Sequence, residues 1–94
     1  GLKIGDNTRI SNSCCLIPFN HRYENKNILI KDQGLKKIGI ILGEDCWIGS
    51  NCSILGGTKL GKGCVVGAGS VINKEFPPYS VIAGTPAKII GQRT

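Results

Sequence analysis

His21 is the only histidine in this chain of 94 residues. An imidazole is largely neutral at pH 7, so it can take a proton from a hydroxyl or an amine while the freed lone pair attacks an electrophilic carbon. A histidine in a polar loop can also be an exposed residue with no chemical role. The residue type alone leaves both interpretations open.

Five cysteines are the other reactive side chains, and four of them recur at one position of a six-residue pattern. Their number is odd and no signal segment is visible, which favours reduced thiols in a cytoplasmic protein over a disulfide framework. We therefore predict packing residues rather than nucleophiles or metal ligands, and Cys15 has no activating base beside it in the sequence. The five are Cys14, Cys15, Cys46, Cys52 and Cys64.

The net charge of the chain is +6, from 12 basic and 6 acidic residues. This excess favours an anionic partner such as a small molecule that carries phosphate groups. We do not expect nucleic acid, because the basic residues are scattered, with Lys36 and Lys37 the only adjacent pair, and few aromatic residues accompany them. No apolar run approaches the roughly 20 residues that a membrane-spanning helix needs.

Aliphatic residues recur every six positions from Leu42 onward, and in most cases a small residue follows four positions later. A six-residue period fits neither an amphipathic helix nor a long alternating strand. It is typical of a solenoid in which each hexapeptide forms one short strand and one corner, with both recurring side chains inside and glycine easing the bend. The aliphatic positions are Leu42, Ile48, Ile54, Leu60, Val66 and Ile72, and the small ones are Cys46, Cys52, Thr58, Cys64 and Ser70.

Two interruptions divide this single domain. Leu42 follows Leu16 by 26 positions, which is not a multiple of six, so an excursion that carries His21 leaves the solenoid between them. Such an inserted loop is where function is expected. A pair of prolines later ends the strand pairing. The predicted parts are a first coil (1–20), the excursion loop (21–41), regular coils (42–76) and a C-terminal loop with a closing segment (77–94).

Five further motifs accompany the repeat and cover nearly the whole chain. They are Ile4-Gly5-Asp6-Asn7, His21 with Asp32-Gln33-Gly34, Asp45-Cys46-Trp47-Ile48-Gly49, Gly67-Ala68-Gly69-Ser70-Val71, and Ala83-Gly84-Thr85-Pro86-Ala87-Lys88. In order and spacing they resemble the hexapeptide-repeat acyltransferases, in the branch of the maltose, galactoside and xenobiotic acetyltransferases. Within that branch the sequence is most similar to O-acetyltransferases of bacterial polysaccharide and lipopolysaccharide gene clusters. The resemblance implies an all-β fold, a left-handed parallel β-helix, and a homotrimer with sites between subunits.

The resemblance also implies the chemistry. The donor would be acetyl-CoA and the acceptor a saccharide or another small molecule with a hydroxyl group, with no metal. We expect direct transfer rather than a cysteine-bound intermediate, because the cysteines of the repeat point inward and Cys15 lacks an activating base. His21 falls where the catalytic base of the family lies. A backbone carbonyl or Glu24 could orient its ring, and the residues around Gly49 and Ser50 are candidates for the donor that stabilises the oxyanion.

The remaining site residues are implied as contacts of the cofactor. The Trp47 indole would pack against the pantetheine arm, main-chain groups at Ala68 and Ser70 would bind it, and lysines would hold the phosphates. Relatives often carry threonine where Asn73 stands and arginine where Lys88 stands, and a lysine gives up bidentate phosphate contact. Thr85 and Pro86 would shape the loop over the adenine. The implied cofactor contacts are Trp47, Ala68, Ser70, Asn73, Lys74, Thr85 and Lys88.

Two other functions compete with this interpretation. A γ-class carbonic anhydrase shares the predicted fold, but it needs two zinc-binding histidines from one chain, and only His21 is available. A non-catalytic or truncated module that only assembles or binds is the other alternative. Family members usually carry residues before the histidine-bearing coil that help to hold the acceptor, whereas Gly1 is followed at once by the repeat.

Overall fold

The computed structural model describes all residues 1–94 and consists of short β-strands and one short 3-10 helix. No helix in it has the length and apolarity needed to cross a membrane. The elements are β1 (Leu2–Ile4), β2 (Arg9–Ile10), β3 (Cys15–Ile17), β4 (Phe19–His21), the 3-10 helix (Ile30–Asp32), β5 (Leu35–Lys37), β6 (Ile40–Leu42), β7 (Trp47–Ile48), β8 (Ser53–Leu55), β9 (Lys59–Leu60), β10 (Val65–Val66), β11 (Val71–Ile72), β12 (Glu75–Phe76), β13 (Ser80–Gly84) and β14 (Ala87–Gln92).

The chain winds in turn through three parallel sheets, so that each full coil contributes one strand to each sheet. Sheet A has the order β1-β6-β9-β12, sheet B contains β2-β7-β10-β13, and sheet C has the order β3-β8-β11. All pairings within these sets are parallel. The inward side chains of the three sheets share one core, which is the solenoid that the six-residue repeat predicts.

The register of the strands gives the length of each coil. Between the second and third coils, partners such as Ile41 and Lys59 differ by 18 residues, which equals three hexapeptides. Between the third and fourth coils the difference falls to 16, as for Lys59 and Glu75, because the connection from β11 to β12 is shorter. Phe76 therefore aligns with Leu60 and continues the inward column of sheet A.

The core consists of the side chains that the repeat predicts. The six aliphatic positions are at most 1% exposed, and the five small positions are at most 2% exposed. The buried thiols of Cys46, Cys52 and Cys64 donate hydrogen bonds of 3.3, 3.3 and 3.2 Å to carbonyl oxygens. Burial raises the pKa of the Cys52 and Cys64 thiols above its ordinary value. These thiols are packing residues, and all five cysteines are free, with Cys15 the exposed one.

Glycine after an aliphatic position lets neighbouring coils approach closely. A Cβ atom built on Gly49 would lie 2.6 Å from the Ala68 backbone nitrogen and 2.9 Å from the Val66 carbonyl oxygen. The left-handed backbone of each corner comes two residues after the glycine position, as at Asp45, with φ 55°, and Gly63, with φ 73°. The recurring glycine is thus required by close stacking and not by a positive φ.

The excursion between the first and second coils is an antiparallel hairpin. Strand β4 pairs with β5, with His21 opposite Leu35, and the 3-10 helix lies in the connection. At its base, the N–H groups of Ile38 and Gly39 both donate to the Pro18 carbonyl, at 2.9 and 2.8 Å. The hairpin begins and ends earlier than the predicted excursion over 21–41, because hydrophobic spacing does not mark the point where the chain leaves the coil.

The C-terminal segment is more regular than the predicted loop and closing segment. Strand β13 adds a fourth coil to sheet B, and β14 turns back and pairs antiparallel with it. The connection between them is Thr85-Pro86, whose peptide bond is cis. The Arg93 guanidinium donates to the Gly63 carbonyl at 3.1 Å and pairs with the Asp45 carboxylate at 3.4 Å, which holds this end against the coils.

Candidate active site

The connections from sheet B to sheet C stack into one edge of the solenoid, which we call the B/C corner (residues 11–14, 49–52 and 67–70). Trp47 lies at its edge, on β7, with its side chain directed outward and 55% exposed. The indole Nε1–H group donates a 3.3 Å hydrogen bond to the Ser11 hydroxyl of the first coil. A large aromatic surface therefore lies open to solvent, with its one polar atom bonded to the neighbouring coil.

Ser50 lies at the centre of the B/C corner and has an available backbone donor. Its carbonyl accepts the Gly69 N–H at 2.9 Å, and its hydroxyl donates to the Asn12 side-chain oxygen at 2.9 Å, whereas its own N–H bonds no group in the chain. The Gly49 N–H donates to the Val66 carbonyl at 2.8 Å. Of the two candidate oxyanion donors, only the Ser50 N–H is free to bind a ligand.

Ala68 and Ser70 follow on the next coil of the same corner, and they differ in what they can offer a ligand. Ala68 is exposed, and neither its N–H nor its carbonyl is bonded within the chain. Ser70 is buried; its hydroxyl donates to the Gly67 carbonyl at 2.7 Å and accepts the Gly84 N–H at 3.1 Å. The Ser70 side chain is therefore occupied by internal bonds, while the Ala68 backbone is available.

The Gly84–Ser70 bond also connects the last hairpin to this corner. Thr85 forms the exposed turn of that hairpin, directly after Gly84, and Lys88 is exposed on β14, opposite Ala83. At the fourth coil, the B/C corner is therefore bounded by the Thr85 turn and the Lys88 ammonium. The predicted residues Trp47, Ala68, Ser70, Thr85 and Lys88 share this side of the solenoid.

Asn73 and Lys74 lie at a different edge, in the connection from sheet C to sheet A. Both are exposed, and the Lys74 ammonium lies 5.4 Å from the centre of the Phe76 ring. Neither Lys74 nor Lys88 forms an ion pair with a carboxylate of the chain. The two cations are therefore free to bind an anion, but they do not meet at one point of a single chain.

His21 ends β4 in the excursion hairpin, and its side chain is exposed. The imidazole makes no hydrogen bond and no ion pair within the chain. The Glu24 carboxylate instead accepts the Tyr23 N–H at 3.1 Å, and backbone hydrogen bonds lower the pKa of this carboxyl. Within one chain, neither Glu24 nor a backbone carbonyl orients the His21 ring.

One chain does not bring His21 to the B/C corner. The hairpin leaves the coil after β3 of sheet C and before β6 of sheet A, whereas Trp47 lies on sheet B. The surface grooves of the chain lie along sheet A, where Lys59 and Glu75 line both, and neither groove contains a predicted site residue. No group of three or more His, Cys, Asp or Glu side chains is arranged to hold a metal ion.

Known proteins with this repeat are similar in sequence to most of this chain. Residues 39–74 match the family model for the bacterial transferase hexapeptide, with six repeats. A probable acetyltransferase of Mycobacterium tuberculosis is 39% identical over 92 residues, which cover 98% of this chain and 31% of that protein. The chain belongs to the hexapeptide-repeat transferase family. The family predicted from the sequence motifs is thereby confirmed.

Further relatives of the hexapeptide-repeat transferase family agree in sequence and in fold. A putative lipopolysaccharide biosynthesis O-acetyl transferase of Escherichia coli is 36% identical over 94 residues, covering 93% of this chain and 48% of that protein. The structure of a galactoside acetyltransferase in complex with coenzyme A superposes with a TM-score of 0.88 at 34% identity, over 97% of this chain and 44% of that chain. The predicted left-handed parallel β-helix is confirmed. The chain spans about a third to a half of the length of these relatives.

Two side-chain contacts of the B/C corner were not anticipated from the sequence. Ser11 and Asn12 reach from the first coil to Trp47 and Ser50 of the second. The only sequence signal was that the first coil has two polar residues, Ser11 and Asn12, where the second coil has Gly49 and Ser50. This signal can be recognised only when the register between the two coils is known.

Proposed function

We propose that this protein is an acetyl-CoA-dependent O-acetyltransferase that acts on a saccharide or another small molecule with a hydroxyl group. The observation that carries the proposal is the B/C corner, where an exposed indole and unbonded backbone groups of Ser50 and Ala68 lie along one edge. A thin ligand that contains amides, such as the pantetheine arm, needs a groove of this kind with free donors and acceptors. The similarity to named acetyltransferases supports the same donor.

In this proposal the arm of the donor lies along the B/C corner. Trp47 supplies an apolar surface for it, and the Ala68 N–H and carbonyl bind its amides. Ser70 supports the corner from within. The phosphates would be held by Lys88 of the same chain and by Lys74 of a neighbouring copy, because the two do not meet within one chain, with Thr85 and Asn73 beside them as neutral partners.

The reaction then follows from two groups of the chain. His21 accepts the proton of the acceptor hydroxyl as the oxygen adds to the thioester carbonyl carbon. The Ser50 N–H stabilises the negative charge on the carbonyl oxygen. As the carbon–sulfur bond breaks, the protonated His21 returns its proton to the leaving thiolate, so that the products are the acetyl ester and the free thiol.

Direct transfer fits the cysteines better than a cysteine-bound intermediate does. Cys46, Cys52 and Cys64 are buried and donate to carbonyl oxygens, and the raised pKa of two of these thiols disfavours the nucleophilic thiolate. Cys15 is exposed, but it has no hydrogen bond or ion pair to a base. Free thiols used for packing also favour a reducing compartment, so we place the protein in the cytoplasm.

A homotrimer would complete the site between neighbouring subunits. The hairpin that carries His21 exposes large apolar side chains, among them Tyr23, Leu29 and Ile30 at 67%, 64% and 54% exposure. A second copy could cover this surface and bring its own B/C corner to the imidazole, and it could also supply the group that orients the ring. This arrangement explains why His21 and Trp47 do not meet within one chain.

Calorimetric titration with acetyl-CoA tests the donor without knowledge of the acceptor. We expect about one site per chain, and binding about tenfold weaker or more in Lys74→Ala/Lys88→Ala, because two charge-assisted phosphate contacts are lost. The matched control is Lys3→Ala/Lys59→Ala, which removes the same charge from exposed positions on sheet A. Equal binding by both variants would contradict the assigned phosphate contacts. No binding by the folded wild type would favour a non-catalytic module.

The base is tested by turnover. We expect His21→Ala to lower the rate of acetyl transfer by about 10²-fold or more while acetyl-CoA binding is kept. A suitable acceptor series contains neutral sugars, amino sugars and serine-like amines. Full turnover by His21→Ala would refute the role of the imidazole and leave the donor site standing.

A further inference from the structure

Two side-chain hydrogen bonds join the first and second coils at the B/C corner. The Trp47 indole N–H donates to the Ser11 hydroxyl at 3.3 Å, and the Ser50 hydroxyl donates to the Asn12 side-chain oxygen at 2.9 Å. The two acceptors are consecutive in the sequence, and the two donors belong to the residues proposed to contact the donor arm and the oxyanion. The backbone ladder between the coils needs neither bond.

We propose that Ser11 and Asn12 are positioning residues of the acetyl-transfer site, Ser11 for the Trp47 ring and Asn12 for Ser50 through its hydroxyl and the peptide that follows it. The inference rests on the proposed function. The first coil contains no residue proposed to touch the donor, but it would orient the residues of the second coil that do. Ser11 would affect acetyl-CoA binding, and Asn12 would affect the chemical step.

The exposure of Trp47 leaves its ring dependent on Ser11. A side chain that is 55% exposed is not held by packing, so its ring can change rotamer unless a polar contact fixes it. The indole has one donor and no acceptor, and that donor is bonded to Ser11. Ser11 is itself fixed, because its N–H donates to the Ile48 carbonyl at 2.9 Å. A ring held in place before binding lowers the entropy lost when a ligand packs on it.

Asn12 accepts two hydrogen bonds from the second coil, one at its side chain and one at its backbone. Its side-chain oxygen accepts the Ser50 hydroxyl, and its backbone carbonyl accepts the Asn51 N–H at 3.1 Å. Asn51 has a φ of 58°, so the turn after Ser50 is in a conformation that needs support from its surroundings. From the opposite coil, the Gly69 N–H binds the Ser50 carbonyl. The Ser50–Asn51 peptide is therefore held from both sides, which fixes the residue whose own N–H is proposed to stabilise the oxyanion.

A role in stability alone predicts a different pattern of effects. If these bonds only joined the coils, removing either one would lower the unfolding temperature and leave binding and turnover of the folded protein unchanged. A positioning role predicts selective effects at equal folded fraction. Ser11→Ala would weaken acetyl-CoA binding and spare kcat, whereas Asn12→Ala would lower kcat and spare acetyl-CoA binding.

The sole tryptophan allows a direct test of the Ser11 bond. We expect Ser11→Ala to shift the Trp47 emission, to increase its quenching by acrylamide and to weaken acetyl-CoA binding about 3- to 10-fold, the range expected for one hydrogen bond. Ser11→Thr keeps the hydroxyl and should behave as wild type. The matched control is Ser53→Ala, an outward serine of the second coil without a side-chain hydrogen bond. In a Trp47→Phe background, Ser11→Ala should have no effect on binding.

A double-mutant cycle tests Asn12. We expect Asn12→Ala to lower kcat about tenfold or more, since small misplacements at a reacting centre have effects of this size or larger. The Ser50→Ala variant keeps the backbone N–H but lacks the hydroxyl that Asn12 binds. Adding Asn12→Ala to it should therefore change kcat little. The control is Lys3→Ala, at an exposed residue of β1 on sheet A, away from the B/C corner.

Each outcome bears on the inference. Emission and binding of Ser11→Ala equal to those of Ser53→Ala would refute the role of Ser11. An Asn12→Ala effect of the same size with and without the Ser50 hydroxyl would refute the role of Asn12. Circular dichroism and size-exclusion chromatography establish that each variant is folded and assembled. Wild type that fails to bind acetyl-CoA would overturn the proposed function itself, whereas binding and turnover without the split would overturn only this inference.

Discussion

Substitution of Gly49 by alanine tests whether the stacking of the coils sets the geometry of the B/C corner. The added Cβ would lie 2.6 Å from the Ala68 nitrogen and 3.0 Å from its Cα, both backbone atoms. Ordinary contact begins near 3.4 Å, so the two coils must separate by close to 1 Å or twist apart. The 2.8 Å bond from the Gly49 N–H to the Val66 carbonyl would then lengthen or break.

The free energy of unfolding should fall by about 1–3 kcal/mol, the usual result of overpacking. The loss of backbone freedom in the unfolded chain offsets only about 0.4–1 kcal/mol of this. Because the displaced atoms belong to Ala68, whose backbone is proposed to bind the donor, acetyl-CoA binding should weaken in the folded Gly49→Ala variant as well. Urea unfolding followed by circular dichroism measures the first effect, and calorimetry measures the second.

The chain contains a matched control at the same position of the repeat. A Cβ atom on Gly67 would meet the Ala83 Cβ at 3.1 Å, a side-chain atom of the incomplete fourth coil, with no backbone atom nearer than 3.6 Å. We expect Gly67→Ala to lower the free energy of unfolding by less than about 1 kcal/mol. If Gly49→Ala and Gly67→Ala were equally stable, the reasoning from the Ala68 contact would be wrong.

Three further predictions concern the core and its thiols. Ile54→Ala, at a fully buried position, should lower the free energy of unfolding by about 2–5 kcal/mol in urea titrations, whereas the half-exposed Ile41→Ala should lose under about 1 kcal/mol. A thiol reagent should label the exposed Cys15 in the folded protein, while the buried Cys52 and Cys64 should react only at the rate of unfolding. Labelling of Cys52 or Cys64 before unfolding would contradict this prediction. The raised pKa of these two thiols means that the folded state keeps protons that the unfolded state loses, so stability should decline as pH rises above about 9.0. Urea titrations at pH 8 and 10 should show a smaller decline in Cys52→Ala/Cys64→Ala.

The inward half of this fold could be predicted from the sequence because one spacing rule governs it. Each coil must place an aliphatic and a small side chain into the same narrow interior, so the period of six is visible in residue type. Cys46 and Cys64 occupy one column for this reason, and both are buried. The family motifs extended the prediction to the outward residues, such as Trp47, that no packing rule specifies.

The contacts between coils could not be predicted from the sequence, because they depend on the register between strands of successive coils. Trp47 pairs with Arg9 of the first coil, 38 positions earlier, whereas partners in regular coils are 18 positions apart. The additional residues belong to the excursion. Nothing in the residue pattern tells how many of the intervening residues leave the coil. The 16-residue third coil has the same origin, since Phe76 fits the inward column only after its connection shortens. The contacts of Ser11 and Asn12 therefore appear only in the three-dimensional structure.

The separation of His21 from the B/C corner follows from this architecture. A coil keeps its inward positions for packing, so chemistry must come from outward corners or from an inserted segment. Neighbouring coils hold the corner, as the bonds of the Ser50–Asn51 peptide to Asn12 and Gly69 show, and the Ser50 N–H next to this peptide is left unbonded. The hairpin is such an insertion and carries His21, the proposed base, but it leaves the coil on another side. In the proposed mechanism a second copy joins the two, so acetyl transfer should depend on assembly and fall with dilution below the concentration at which the subunits dissociate.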